Sequence, residues 1–156
     1  MEIMYCKKWW FPRKRPIEIL EEEIAHNNHL QGEEYTAVLS QNGLIKYILE
    51  ISKNDVFVNF MDSDVRKYLT YAFHRETDDD IFLNVAYYHR YEREKETELI
   101  IFSFEKSGRM NIEKQNLVNG YLDTKETFTE VACNWDKFPE FGNYSSLIVE
   151  ERELSM

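Results

Sequence analysis

Residues 35–60 read YTAVLSQNGLIKYILEISKNDVFVNF, and this stretch decides the fold class. Two apolar segments, Tyr35 to Gln41 and Leu44 to Ile51, flank Asn42-Gly43, a pair that accepts the positive φ a tight hairpin turn demands. In the second segment Ile45, Tyr47, Leu49 and Ile51 share one face at period two, while Lys46, Ile48 and Glu50 share the other. The polar turn Ser52-Lys53-Asn54-Asp55 leads to Val56, Val58 and Phe60, again at alternate positions. Strands joined by turns this short pair antiparallel, because parallel neighbours need a long crossover.

Downstream the alternation continues. Leu69, Tyr71 and Phe73 share a face within Arg66 to Arg75, where Tyr, Thr and Phe favour a strand over a helix. The turn Asp78-Asp79-Asp80 precedes Ile81, Leu83, Val85 and Tyr87, read as one face. The Glu92 to Glu98 stretch turns the chain into Leu99 to Glu105, and Ser107-Gly108 turns it into Met110 to Gln115. Two more strands, Val118 to Leu122 and Thr127 to Cys133, are expected around a turn at Asp123 to Glu126. Leu147-Ile148-Val149 reads as a strand or a short helix.

Upstream, Pro16 suits the first turn of a helix, where its missing N–H is no loss. Ile17, Leu20 and Ile24 recur at helical spacing, Glu18, Glu21, Glu22 and Glu23 complement the macrodipole, and Gly32 closes the helix. Residues 1–15, with Pro12 among them, are expected to be an irregular basic-aromatic segment. The expected fold class is α+β: a mostly antiparallel β meander, as a curved sheet or partly open barrel, with one N-terminal helix packed on it. A chain of 156 residues, 43% hydrophobic and without a linker, makes this a single domain over 1–156.

Charge is the most informative bulk property. The chain carries −10, yet residues 7–16, KKWWFPRKRP, hold Lys7, Lys8, Arg13, Lys14 and Arg15 and no acid, so the rest is more negative still. Such a body repels phosphates and anionic lipid and attracts cations and basic proteins. Nucleic-acid readers show the opposite balance. The longest apolar run, Leu99 to Phe102, is far too short to cross a bilayer, and no apolar stretch resembling a secretory leader follows the first charges. Two remote cysteines, Cys6 and Cys133, read as thiols of a reducing cytoplasm, not as a disulfide framework.

No nucleophile elbow, phosphate loop or zinc-protease pattern occurs, and the expectation is that the chain is not an enzyme and takes no cofactor. His26 and His29 lie three apart on the expected helix, but two ligands do not make a metal site. His74 and His89 fall on expected strands. The basic aromatic segment offers a nucleic-acid reading, with Trp9, Trp10 and Phe11 stacking bases and the flanking cations on phosphates. The competing reading has the tryptophans anchoring the N-terminus on the sheet.

The segment Trp135-Asp136-Lys137-Phe138-Pro139-Glu140-Phe141-Gly142-Asn143-Tyr144 interleaves aromatics with carboxylates, the composition with which a protein grips a basic partner. The alternative is a loop whose aromatics fold back to close the core. Together with the acidic turns Asp78-Asp79-Asp80 and Glu92 to Glu98, in which Glu94 and Glu96 stand at the tip, this segment resembles bacterial immunity proteins of contact-dependent and polymorphic toxin systems. The resemblance is one of size, acidity and aromatic-rich strands. It implies a cytoplasmic, non-catalytic inhibitor whose partner is a cognate toxin effector domain, often a basic nuclease. The implied contact residues are Trp135, Asp136, Phe138, Glu140, Phe141, Tyr144, Asp78, Asp79, Asp80, Glu94 and Glu96. The other functional classes are a single-stranded nucleic-acid binder using residues 7–15 with Tyr68, Tyr88 and Arg90, and a small enzyme.

Overall fold

The computed structural model describes residues 1–150. Eleven strands form one open sheet: β1 Glu2–Trp10, β2 Arg15–Leu20, β3 Tyr35–Gln41, β4 Leu44–Ile51, β5 Asp55–Met61, β6 Lys67–Arg75, β7 Asp80–Glu92, β8 Lys95–Phe104, β9 Arg109–Asn116, β10 Leu122–Phe128 and β11 Trp135–Lys137. Among the described residues a single α-helix, α1 Glu22–Gln31, separates β2 from β3. From β3 to β10 each strand pairs antiparallel with the next, so the expected meander is the backbone of the fold. At the other margin β1 lies between β3 and the edge strand β2. Among the described residues no helix is long and apolar enough to cross a membrane.

The β3–β4 turn forms where the sequence places it, with positive φ at both Asn42 (53°) and Gly43 (78°). Four register shifts then bend the sheet, since an extra residue on one strand kinks and twists the ladder. Leu39 pairs Tyr47 but Ser40 pairs Ile45, leaving Lys46 over; in the same way Tyr68, Asn84 and Thr97 are extra on β6, β7 and β8. Each shift swaps the faces. Tyr47, Leu49 and Ile51 join the main core while Ile45 joins the other side, and Ile81 and Leu83 face away from Val85 and Tyr87. The single-face readings of β4 and β7 are corrected accordingly.

The main core lies on one face. Tyr35, Phe60, Phe73, Leu49 and Leu69 are at most 1% exposed, and each contributes about 1.5–3 kcal/mol by leaving water. Its lid is α1 together with the chain after β11, which supplies Phe138, Phe141, Tyr144, Leu147 and Ile148. A smaller core on the opposite face gathers Cys6, Trp9, Val38, Ile48 and Met61, covered by Met4, Phe11, Ile45 and Val65. Between these rows the buried Asn59 donates to the Ile48 carbonyl at 3.0 Å and accepts from the Thr70 hydroxyl at 2.8 Å.

The N-terminal region differs from the expectation. Residues 2–10 are a strand, Phe11–Arg13 form a 3₁₀ turn, and Pro16 begins an edge strand opposite Trp9 where the sequence suggested a helix. An edge strand tolerates a residue without an N–H, and tertiary pairing with β1 outweighs the helical spacing. Ile17 and Ile24 are 44% and 49% exposed and only Leu20 of the three packs against the core, so that spacing does not mark a buried helix face. The helix starts only at Glu22 and ends at Gly32, whose left-handed φ of 72° lets its N–H reach the Asn28 and His29 carbonyls.

Toward the C-terminus, Asp123 to Glu126 lie inside β10, not in a turn. The turn comes earlier, where the Asn116 side chain accepts from the N–H groups of Val118 and Asn119. Val131 precedes a 3₁₀ turn, Ala132–Asn134, so no strand runs to Cys133. Leu147 to Val149 are neither strand nor helix, although Leu147 is fully buried.

Candidate functional site

The acidic turn before β7 owes its shape to Thr77, whose hydroxyl accepts from the N–H of Asp79 at 3.3 Å and of Asp80 at 3.0 Å. Arg75, at the end of β6, braces it. Its Nη2 and Nε donate to the Asp78 carbonyl at 2.6 and 3.1 Å, and Nη1 donates to the Lys53 carbonyl at 3.0 Å. The same guanidinium lies 3.7 Å from the centre of the Phe138 ring. With its backbone carbonyls so engaged, the turn leaves the Asp78 and Asp79 side chains exposed.

β11 attaches the aromatic segment to this turn. β8 pairs only Val85 to Glu92 of β7, which leaves the first residues of that edge open, and β11 fills them: Trp135 opposite Phe82, Asp136 opposite Ile81, Lys137 opposite Asp80. The Lys137 ammonium is 2.6 Å from the Asp80 carboxylate, and the Phe138 N–H donates to the Asp79 carbonyl at 2.8 Å. The hydrogen bond to Lys137 holds the Asp80 carboxyl below its ordinary range, and Asp80 in turn raises Lys137. Trp135 rests on Phe82 with ring centres 4.9 Å apart and remains 40% exposed. Asp136 accepts from the Lys137 N–H at 2.7 Å and the Ser146 hydroxyl at 3.2 Å.

Asp78, Asp79, Asp80, Trp135, Asp136 and Phe138 therefore meet at one end of β7. Glu140 follows, exposed, on the lid. Phe141 and Tyr144 do something else. Phe141 is sandwiched between His26 (4.5 Å, rings within 4° of parallel) and Tyr5 (4.9 Å, 21°), and Tyr144 is 2% exposed. These two aromatics close the core, the alternative that the sequence left open. Glu94 and Glu96 lie at the far end of the 13-residue β7, roughly 40 Å away at about 3.3 Å per residue. Glu94 is exposed in the β7–β8 turn, while Glu96 accepts from or pairs with His89 Nδ1 at 2.7 Å.

Beneath the lid runs a buried relay that the sequence did not announce. The Tyr144 and Tyr35 hydroxyls are 3.1 Å apart and the Tyr35 hydroxyl is 2.8 Å from His29 Nδ1, with the Tyr5 ring packed 6.0 Å from that of Tyr35. Burial pushes all three phenols far above their ordinary value, so they stay protonated. Burial lowers His29, with His26 and Arg75 adding to the effect and the Pro139 carbonyl opposing it. A neutral His29 with its second nitrogen on the Pro139 carbonyl accepts from Tyr35 at Nδ1. The two helix histidines thus hold the lid. Cys6 is buried in the smaller core, where desolvation pushes its thiol up to about 11.

Arg75 and Phe82 complete the candidate surface and were not singled out from the sequence. A cation three residues before Asp78 is the trace such a brace leaves; Phe82 leaves none beyond its place in an alternating strand. Comparison with known protein families, with curated proteins and with solved structures finds no match to this chain.

Proposed function

We propose that this chain is a non-catalytic inhibitor that acts in the cytoplasm by covering a positively charged surface of a partner protein, as an immunity protein covers its nuclease toxin. The observation that carries the reading is the β7–β11 pairing. It sets a 40% exposed indole, Trp135, on a hydrogen-bonded ladder beside the exposed carboxylates of Asp78 and Asp79. A rigid aromatic anchor ringed by charge suits a binding hot spot, since little side-chain freedom is lost on docking. On docking, the carboxylates would take the places of a nuclease's substrate phosphates, and a net charge of −10 draws a basic partner in, raising association roughly 10 to 1,000-fold at low salt.

Stopped-flow association with a catalytically inactivated basic nuclease toxin domain encoded beside this chain tests the reading. A stoichiometric complex whose association slows steeply with salt supports it. No complex, or an association rate indifferent to salt, overturns it.

The nucleic-acid alternative loses its flexible arm. Trp9 is 6% exposed in the smaller core, and Trp10, on an edge hairpin, lies beneath the guanidinium groups of Arg13 and Arg15 at 5.8 and 5.1 Å.

A further inference from the structure

The face of the sheet opposite α1 carries a recess of about 260 Å³ between β1, β3, β4 and β5, close to the lower end of small-ligand pockets. Glu50 lies in it, set across the ladders from Thr36 and Phe57. Trp9, Phe11 and Phe57 supply apolar lining, and Lys7 and Lys8 are exposed residues of the same recess, Lys8 lying 3.5 Å from the Glu34 carboxylate that also lines it. One polar group there is left without a partner, and one carboxylate is half-buried. The Trp9 indole N–H is buried and has no hydrogen-bond partner among the described residues. Glu50 is a carboxylate kept largely from water, its carboxyl raised by that burial and by Glu34, against the pull of Lys67, Asn59 and Lys8. Trp9 packs in the small core with Cys6, Val38, Ile48 and Met61 and also borders the recess.

A ligand for this recess needs a flat face for the aromatic lining, N–H donors for a carboxylate, an acceptor for an indole N–H, and an anion for two lysines. A simple anion lacks the flat face and the N–H donors. A nucleotide has all four, and among the bases guanine alone presents two adjacent donors, N1–H and the N2 amino group, beside an acceptor, O6. We propose that the recess binds a guanine mononucleotide, with Glu50 accepting from the base edge, the Trp9 N–H donating to the base, and Lys7 and Lys8 receiving the phosphate. Phe57, 36% exposed, is free to cover the ring. The site shares no residue with the acidic end of β7, so it stands or falls independently of the inhibitor reading.

Isothermal titration of the full chain with GMP, AMP, CMP, UMP and inorganic phosphate tests it. The expected result is one saturable GMP site, with affinity about tenfold or more above the other three nucleotides and phosphate weaker still. Glu50→Gln erases the preference for GMP, with its fold checked by thermal melting. Lys7→Gln and Lys8→Gln, at exposed positions that do not endanger folding, weaken all four nucleotides about equally and flatten the salt dependence. Equal affinity for the four nucleotides and phosphate overturns the proposal, because a patch of lysines explains it. So does the absence of saturable GMP binding to the unmodified chain.

Discussion

The Asn134 side-chain amide donates to the Leu83 carbonyl at 2.9 Å, at the point on β7 where the ladder to β8 has ended and the ladder to β11 has not begun. Asn134 is 1% exposed and bridges a sequence separation of 51 residues. Asn134→Ala leaves that carbonyl buried and unpaired, which costs about 1–3 kcal/mol. The loss shows as a lower urea midpoint and as faster hydrogen exchange at the Phe138 N–H, which bonds the same edge at the far end of the β11 ladder.

The tyrosine relay makes a second measurable demand. Tyr35→Phe removes the hydroxyl shared by His29 and Tyr144, with the ring and its packing kept. The expected destabilisation is about 1–3 kcal/mol because polar atoms at both ends lose a buried partner. In a double-mutant cycle Tyr35→Phe and Tyr144→Phe are non-additive, since the second substitution breaks a chain already broken. Additive effects would show that the hydroxyls act separately.

Acid should loosen the lid through His29. Burial holds its pKa below the ordinary histidine value of 6.5, so the unfolded chain binds the proton first as pH falls. Stability from this group is full above 6.5 and is lost as pH drops toward and through the lowered folded value. Comparing melting temperatures between neutral and mildly acid buffer for the wild type and for His29→Gln checks this. The variant, lacking the titrating ring, loses less on acidification. Other groups titrating in the same window, His89 among them, contribute equally to both proteins.

At the proposed contact surface the indole and the carboxylates separate kinetically. Trp135→Ala leaves the aromatic lid in place and raises the dissociation rate of a toxin complex, with a loss of about 2 kcal/mol or more in binding. Asp78→Asn with Asp79→Asn instead lowers the association rate and flattens its salt dependence. Glu94→Gln, at the opposite end of β7, changes neither.

The central strands were legible because local patterns agree with the tertiary outcome. Asn42-Gly43 dictates a hairpin, and alternation in β5 and β6 reports a buried face. Where pairing is not local, the signal fails. Pro16 and Ile17 read as a helix start because nothing near them reveals that β1 will pair there. The Trp135 segment read as a loop because its ladder partner, Phe82, lies on a strand far back in the chain. The candidate surface was half visible for the same reason: its acids and aromatics stood out by composition, while the brace from Arg75 required the fold.

The extra residue Asn84 lets one strand serve two masters. Ahead of it Ile81 and Leu83 point to the helix-covered side, and beyond it Val85 and Tyr87 point away. Excising Asn84 alone would restore an uninterrupted zigzag to β7 with Ile81, Leu83 and Ala86 still on the helix-covered side, and would remove the kink that precedes the stretch paired with β11. Such a shortening would keep the faces of the strand and straighten the very end from which the acidic corner is built.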